Sequence, residues 1–279
     1  MATRRYRFAG SFYPQSKAEL AEVVRDALNK ATVDKAVAEA SLAYQVPHAG
    51  YEYSGGTAAF TYKALSLSKR VQGIGTIVLV GPNHTGYGMP LAVSGMDWET
   101  PLGVAKNDLE FSNALAASEG IEMDDVAHAG EHSLEVQLPF LQYLFGANVA
   151  KKYAFICMGD QSIEASMLLF GALQKTLNKL KRSITVIASS DLNHYESAET
   201  AAKKDSKLLK AMEEMDPVKL NKLIYELDIS ACGFGPITVA MMYAKSAGAK
   251  KGVILKYSNS GDQTGDYSSV VEYSATAFI

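Results

Sequence analysis

Short apolar runs alternate with helical patterns along most of the chain, and this alternation limits the choice of fold more than any other feature. Residues 75–81, which read GTIVLVG, are rich in β-branched side chains and bounded by glycine, as is typical of a buried strand. Residues 16–30 open with Ser16 and carry Glu19 three positions later, a capping box that predicts a helix start. Strands alternating with helices predict an α/β fold, with a mostly parallel or mixed central sheet and helices on both faces.

The same reasoning assigns the other elements. Strands are predicted at 41–47, 152–159, 183–190, 252–258 and 267–279, and helices at 57–65, 107–118, 162–180, 198–215, 216–227 and 235–248. The last two strands are close in sequence, so we expect them to pair antiparallel. Segments 90–94 and 103–106 predict a hairpin, and Pro139 predicts a kink or a break within helix 132–145. No linker, repeat or low-complexity tract divides the chain, which favours a single domain over 1–279.

Composition excludes several classes of protein. The 279 residues carry a formal net charge of −3 with no basic run, so neither a nucleic acid nor an anionic membrane surface is predicted as a partner. The apolar runs are too short to span a bilayer, and the first residues lack the apolar core of a signal peptide. The two cysteines, Cys157 and Cys232, do not make a disulfide framework. We therefore expect a cytoplasmic protein, with Cys157 as a buried apolar residue of strand 152–159.

Imidazole and carboxylate groups follow three predicted strands at the point where each strand ends. His48 follows strand 41–47, His84 follows strand 75–81, and both Asp191 and His194 follow strand 183–190. Ligands of open α/β sheets bind beyond the carboxyl ends of the strands, where the loops converge on one edge. These four side chains are far apart in sequence, but we expect one shared cleft to bring them together.

Each of these residues also has a plainer interpretation. A lone histidine after a strand is commonly a hydrogen-bonded structural residue, and Asp191 is well placed to cap a helix. His128 and His132 are four residues apart, but Gly130 between them weakens a helical interpretation of that spacing. His132 is the better placed of the two, because it adjoins Glu131 at a predicted helix start.

The residue types in the expected cleft suit a metal ion. Imidazole binds iron, zinc and copper, and a thiolate is a soft ligand that binds the same metals. Cys232 precedes Pro236 and an apolar helical run, so we expect it at a helix N-terminus, where a thiolate is favoured. Two histidines with Cys232 would form a softer version of the site of two histidines and a carboxylate that holds non-heme iron. Cys232 could instead be a core residue or a nucleophile.

Several segments that contain these residues, taken together, resemble the Memo family, named for a mediator of ErbB2-driven cell motility. The matching segments run nearly end to end: AGSFYP (9–14), VPHAGYEYSGG (46–56), GPNHTGYG (81–88), EHSLEVQLPFLQ (131–142), SSDLNHY (189–195), DISACGFGPI (228–237) and SGDQTGDYSSVVEYSA (260–275). The resemblance implies a fold related to the class III extradiol dioxygenases, which are non-heme iron enzymes. It also implies an association with a radical-SAM protein and an AMMECR-type protein.

The resemblance further implies a pocket formed by His48, His84 and Cys232, with Asp191 and His194 nearby. In the dioxygenases the third iron ligand is a carboxylate, whereas the matching motif position here is Cys232. A thiolate donates more charge than a carboxylate and is itself oxidisable. The expected chemistry is therefore redox or oxygenase-like and differs from ring opening.

The leading hypothesis is a mononuclear metal protein with Fe2+, or alternatively Cu or Zn, held by His48, His84 and Cys232. In it, His194 acts as an acid or base, Asp191 orients His194 or ligates the metal, and His132 binds the substrate. A second hypothesis is a metal-free module that binds a small molecule or peptide in the same cleft. A third is a hydrolase in which His194 or His84 activates the Cys232 thiol.

Overall fold

The structure is a computed structural model that describes residues 2–146 and 151–279. Within these residues the strands are β1 (Thr3–Arg4), β2 (Ala43–Val46), β3 (Thr76–Pro82), β4 (Leu91–Val93), β5 (Asp97–Thr100), β6 (Gly103–Ala105), β7 (Glu122–Met123), β8 (Lys152–Met158), β9 (Ile184–Ser189), β10 (His194–Glu196), β11 (Gly252–Asn259) and β12 (Val270–Phe278). Most of them belong to one large sheet, and β1, β5 and β6 form a small one.

The helices lie between these strands. In chain order they are α1 (Lys17–Lys30), α2 (Lys35–Ala40), α3 (Gly56–Leu67), α4 (Lys69–Gly73), α5 (Leu109–Ala116), α6 (Val126–Ala129), α7 (Leu138–Phe145), α8 (Ile163–Leu180), α9 (Ala198–Glu213), α10 (Pro217–Glu226), α11 (Phe234–Ser246) and α12 (Gly261–Thr264). A π-helical turn at Tyr51–Gly55 leads into α3, and a 3-10 turn at Glu135–Gln137 leads into α7. Across the described ranges, no helix combines the length and the apolar character needed to cross a membrane.

The large sheet is mixed, with a parallel centre. Its order is β10-β12-β2-β9-β3-β8-β4-β7, and β11 pairs with β12. Strand β9 pairs parallel with β2 on one side and with β3 on the other, and β3 pairs parallel with β8. Strands β11 and β12 pair antiparallel, as the sequence predicts. The carboxyl ends of β2, β9 and β3 therefore lie side by side at one edge.

Helices cover both faces of the parallel centre, which explains why its strands read as almost continuous apolar runs. Side chains along β3 point alternately to the two faces, with Val78 and Val80 in one core cluster and Ile77 and Leu79 in the other. Leu169 of α8 belongs to the first cluster. Helices α1, α3 and α7 contribute to the second cluster. The α/β architecture with helices on both faces is confirmed.

Local sequence signals account for several element boundaries. The Ser16 side chain accepts a hydrogen bond from Glu19 N–H and caps α1, as the capping box predicts. Pro139 stands in the first turn of α7, so the predicted helix 132–145 is broken into a 3-10 turn and an α-helix. A proline is tolerated in this turn because the N–H that it lacks would have no partner within the helix.

One sequence prediction about the strands is wrong. Segments 90–94 and 103–106 do not pair with each other: β4 joins the large sheet beside β8, whereas β6 pairs with β5 in the small sheet. The chain turns directly after β4, where Asp125 accepts hydrogen bonds from Ser94 Oγ at 2.6 Å and Gly95 N at 3.0 Å. These bonds direct the chain away from the large sheet. A hairpin forms a few residues later, between β5 and β6.

Two buried carboxyl groups lie close to the segment that carries His194. Asp205 of α9 and Glu272 of β12 are both fully buried, and Asp205 Oδ2 accepts a hydrogen bond from Asn193 N at 3.3 Å. Burial raises the pKa of Asp205 to about 8, the bond from Asn193 opposes this rise, and the negative charge of Glu272 adds to it. Folded protein therefore holds a proton on Asp205 that an unfolded chain releases near its ordinary pKa.

This proton makes stability depend on pH in a defined direction. Stability falls as the pH rises towards the pKa of Asp205 in the folded protein, because the folded state holds a proton that the unfolded chain has already released. Asp205→Asn imitates the protonated side chain, so we expect the variant to gain stability relative to wild type between about pH 5 and about pH 8. Urea unfolding of both proteins across this range measures the difference. A difference that does not change with pH would contradict the assignment.

Candidate metal centre

His48 follows β2 and is held through both its backbone and its ring. Its backbone N–H donates to Asp191 Oδ1 at 2.7 Å, and its Nδ1 lies 2.9 Å from Ser189 Oγ. Ser189 is the last residue of β9, and Asp191 lies in the loop after it. The parallel pairing of β9 with β2 brings both residues alongside His48. The residue is 2% exposed, and its Nε2 points towards the thiol of Cys232.

His84 follows β3 and is held by a single buried carboxylate. Glu131 accepts from His84 N at 2.6 Å through Oε2 and lies 2.9 Å from His84 Nδ1 through Oε1. Burial tends to raise the pKa of Glu131, but the hydrogen bond and charge of His84, with further help from His132 and Ser133, lower it to about 2. Glu131 is therefore ionised, and it leaves Nε2 of His84 available as a ligand atom.

The loop that carries His84 is folded by its own side chains. Asn83 Oδ1 accepts from Thr85 N at 3.0 Å and Gly86 N at 3.1 Å, which closes a tight turn around His84. Gly88 has a φ of +82°, and a Cβ there would lie 2.6 Å from Ala127 N. Glycine is needed at this position both for its conformation and for the close approach.

Cys232 enters the cleft from the loop before α11. Its Sγ lies 3.1 Å from His48 Nε2 and accepts a hydrogen bond from Asp191 N at 3.3 Å. Gly233 makes this approach possible, because a Cβ at Gly233 would lie 2.7 Å from Ser190 Cβ and against the Ser189 carbonyl oxygen. The loop can therefore press against the end of β9.

The surroundings of Cys232 disfavour a thiolate when no metal is bound. Cys232 directly precedes Gly233, the N-cap of α11, so it lies at the helix N-terminus as predicted. Burial raises the pKa of the Cys232 thiol well above its ordinary value, and the negative charge of Asp191 adds to the rise. For the uncoordinated side chain this direction is opposite to the one expected at a helix N-terminus, and its largest cause is the loss of solvent.

The three predicted metal ligands lie together. One nitrogen each of His48 and His84 and the sulfur of Cys232 are all within 4.8 Å of one another. The two rings are 5.2 Å apart, centroid to centroid, and almost perpendicular at 82°. Two overlapping groups meet the same distance limit: one comprises His84, Glu131 and His132, and the other comprises Asp191, His194 and Cys232.

His132 lies at the side of this cluster. Its ring stacks on His84 at 4.6 Å and 22°, and it also contacts Phe12 at 4.7 Å and Phe8 at 5.6 Å between ring centroids. Burial lowers the pKa of His132 to about 4, opposed by the charge of Glu131 and assisted by His84. His132 is thus a neutral ring that lies between His84 on one side and the aromatic rings of Phe8 and Phe12 on the other.

Asp191 and His194 occupy different positions in the cleft. Burial raises the pKa of Asp191 to about 7, although the backbone N–H groups of His48 and Ala49 lower it. His194 is half-buried, and its Nδ1 has no hydrogen-bond partner among the described residues. Within the same ranges, no hydrogen bond joins the Asp191 carboxylate to the His194 ring. The main contact of Asp191 is with the backbone that carries His48.

His128 lies outside the cluster. It is fully buried, packs edge-on against Trp98 at 5.6 Å, and has no hydrogen-bond partner for either ring nitrogen among the described residues. Sequence reasoning did not assign roles to Glu131, Ser189 or Gly233. The one available signal was that Glu131 adjoins His132, since the contacts of Ser189 and Gly233 join residues far apart in the chain.

The fold and the site define an open α/β protein with imidazole and thiol donors clustered at the carboxyl edge of its parallel strands. The family model described as Memo-like protein matches residues 4–277. The chain belongs to the Memo family, as its motifs indicate.

Relatives from archaea cover almost the whole chain. A MEMO1 family protein of Ignicoccus hospitalis is 41% identical over 100% of this chain and 99% of the relative. Those of Methanococcoides burtonii and Methanocaldococcus jannaschii are 42% and 41% identical, each over 96% of both chains. Among solved structures, an uncharacterized protein of Escherichia coli K12 has a TM-score of 0.46 and 14% identity over 72% of this chain and 85% of that one. This last likeness carries no functional conclusion.

The close approach at Gly233 can be tested directly. In Gly233→Ala the new methyl group collides with the end of β9, so we expect Cys232 to move away from His48 and react faster with a thiol reagent. Stability should fall by about 1–3 kcal/mol through overpacking. Cys157 is fully buried, so the reagent reports on Cys232 in the native protein.

Gly171→Ala provides the control, because a Cβ at Gly171 of α8 would meet no atom of the described residues within 4 Å apart from the adjacent backbone of its own helix. We expect the thiol of this variant to react at the wild-type rate. Unchanged reactivity of Cys232 in Gly233→Ala would contradict the proposed role of the glycine.

Proposed function

We propose that the protein binds one metal ion through His48 Nε2, His84 Nε2 and Cys232 Sγ, and that the ion supports redox or oxygenase-like chemistry. The observation that carries the proposal is the convergence of these three side chains, with donor atoms within 4.8 Å, from three separate parts of the chain. Two imidazoles and a thiolate form a donor set that suits iron, with copper and zinc as alternatives. When bound, such an ion supplies a Lewis acid and, for iron or copper, a change of oxidation state.

The partners of the two histidines support this proposal. Ser189 and Glu131 engage the Nδ1 atoms of His48 and His84, respectively, so the Nε2 atoms face the cleft. Metal-binding histidines commonly use their other nitrogen in this way. The ionised Glu131 and a metal-bound thiolate together carry two negative charges, which balance a divalent cation.

The remaining polar residues have proposed roles in handling a substrate. His194 is the proposed acid or base, because its buried Nδ1 has no hydrogen-bond partner among the described residues and one of its ring nitrogens lies within 4.8 Å of ligand atoms of Asp191 and Cys232. His132 is the proposed substrate contact, because its neutral ring adjoins both His84 and the aromatic side chains. Asp191 holds the backbone of His48 and lies within reach of Cys232. The ligand is proposed to be a small molecule or a peptide, and a radical-SAM protein and an AMMECR-type protein remain the predicted partners.

One contact favours a second candidate, a binding module without metal. The Cys232 thiol lies at hydrogen-bonding distance from His48 Nε2, 3.1 Å, so these two groups can satisfy each other. A hydrolase that uses Cys232 as its nucleophile is less well supported, because burial raises the pKa of the thiol.

Cobalt binding distinguishes these candidates. We expect reduced wild-type protein to bind one equivalent of Co2+ with a thiolate-to-metal absorption band, and Fe2+ to compete for the same site without oxygen. Cys232→Ala should lose the band, and His84→Ala should weaken binding by more than about 100-fold, beyond the loss caused by an outer partner.

Cys157→Ala is the matched control, because Cys157 is the other cysteine and is buried within β8. It should retain both the absorption band and the wild-type affinity. Absence of stoichiometric binding in reduced wild-type protein, or an unchanged band in Cys232→Ala, would overturn the proposed metal centre.

A further inference from the structure

Among the described residues, no hydrogen bond joins Gln137 directly to the three proposed ligands, yet it is linked to His48 through a buried chain of hydrogen bonds. Its side chain is in the 3-10 turn before α7, and the residue is 1% exposed. Gln137 Nε2 donates to Pro47 O at 3.0 Å and to Ser189 Oγ at 2.9 Å, with a longer contact of 3.4 Å to Ser133 O. Its Oε1 accepts from Tyr62 Oη at 2.6 Å.

Two carbonyl groups fix the direction of this chain. Pro47 O can only accept, so the amide nitrogen of Gln137 must face Pro47 and Ser189. Ser133 O can also only accept, and it receives the Ser189 hydroxyl at 2.7 Å. Gln137 Nε2 also lies 3.4 Å from Ser133 O, but two oxygens only 2.7 Å apart need a hydrogen between them, and only the Ser189 hydroxyl can supply it. The single hydrogen of Ser189 is therefore committed to Ser133.

The remaining contact of Ser189 then has one consistent assignment. A hydroxyl has one hydrogen and two acceptor lone pairs, and Gln137 occupies one of these lone pairs. The other faces His48 Nδ1 at 2.9 Å, so Nδ1 must carry the hydrogen of this bond. In a neutral imidazole, Nε2 is then unprotonated and turns its lone pair towards Cys232.

We propose that Ser189 and Gln137 are positioning residues that hold His48 in the tautomer protonated on Nδ1, with Nε2 free to bind a metal ion. The consequence for metal binding rests on the proposed function, whereas the tautomer itself does not. The opposite tautomer would place an N–H group where the proposed ligand atom must be.

The two histidines are thus oriented by different kinds of partner. The His84 ring is held at Nδ1 by the ionised Glu131, whereas the His48 ring is held at Nδ1 by an uncharged chain of hydroxyl and amide groups. A carboxylate partner raises the basicity of its histidine as well as orienting it. The uncharged chain orients His48 without adding a further buried negative charge, which would be costly beside Glu131 and Asp191.

Gln142 provides a matched control for a purely structural role. It is a glutamine of α7 that is 3% exposed, accepts from Thr100 Oγ1, and donates to Gly103 O at 2.8 Å. Gln142→Leu and Gln137→Leu both remove a buried, hydrogen-bonded amide. Of the two glutamines, Gln137 alone is connected to Ser189 and His48.

The test is 15N NMR of the histidine rings in reduced, metal-free protein, followed by Co2+ titration. Wild type should show His48 protonated on Nδ1. In Ser189→Ala the population should move towards Nε2 protonation, and Co2+ affinity should fall by about 10–100-fold. Gln137→Leu should change both quantities in the same direction but less, and Gln142→Leu should match wild type.

The two readouts separate this inference from the proposed function. Protonation of His48 on Nε2 in wild type, or an unchanged tautomer in Ser189→Ala, would overturn the inference whether or not metal binds. If the tautomer shifts as expected but wild type binds no Co2+, the positioning role stands and the proposed metal centre fails.

Discussion

The cleft depends on the parallel pairing of β9 with β2 on one side and β3 on the other. Adjacent strands lie about 4.8 Å apart, so three chain segments leave the sheet side by side. The segment after β2 carries His48, and the segment after β3 carries His84. Between them, Ser189 ends β9 and Asp191 lies in the loop that follows it. Because the pairing is buried between two helical layers, its register is strongly specified by the core side chains. The positions of the two histidine rings therefore follow from the packing of the whole sheet.

Two buried carboxyl groups beside the cluster have opposite properties for a physical reason. Glu131 is bonded to an imidazole and to backbone N–H groups, and its pKa is lowered to about 2 despite burial. Asp191 is bonded to backbone N–H groups, and burial raises its pKa to about 7. Different environments thus give one permanent negative charge and one group that can hold a proton near neutral pH. This contrast is typical of sites that handle protons, and it is not visible in composition.

Much of the fold follows from local sequence. The β-branched run of β3, the capping box of α1 and the first-turn proline of α7 each act within a few residues, so their signals are readable. The predicted hairpin failed because its outcome depends on Asp125, some thirty positions away in the chain, whose carboxylate binds Ser94 and Gly95. Pairing between strands is decided by such distant contacts.

The functional site likewise combines residues with a local sequence signal and residues whose contacts lie far away in the chain. His48 and His84 could be recognised because each closely follows a strand. Ligands of open α/β sheets bind beyond the carboxyl ends of the strands, so the two histidines were expected at one place. Glu131 and Gln137 could not be assigned their contacts, because both act across large sequence separations. The protonation of Cys232 depends on burial that only the folded chain creates, so the pKa direction is opposite to the one expected at a helix terminus.

The proposed function requires that His48, His84 and Cys232 bind the same ion. The most direct measurement is a crystal structure of the reduced protein prepared with Fe2+ in the absence of oxygen. We expect one ion bound to His48 Nε2, His84 Nε2 and Cys232 Sγ, with at least one coordination position open to a ligand. An ion bound instead by His84, Glu131 and His132, or no ion in the cleft, would contradict it.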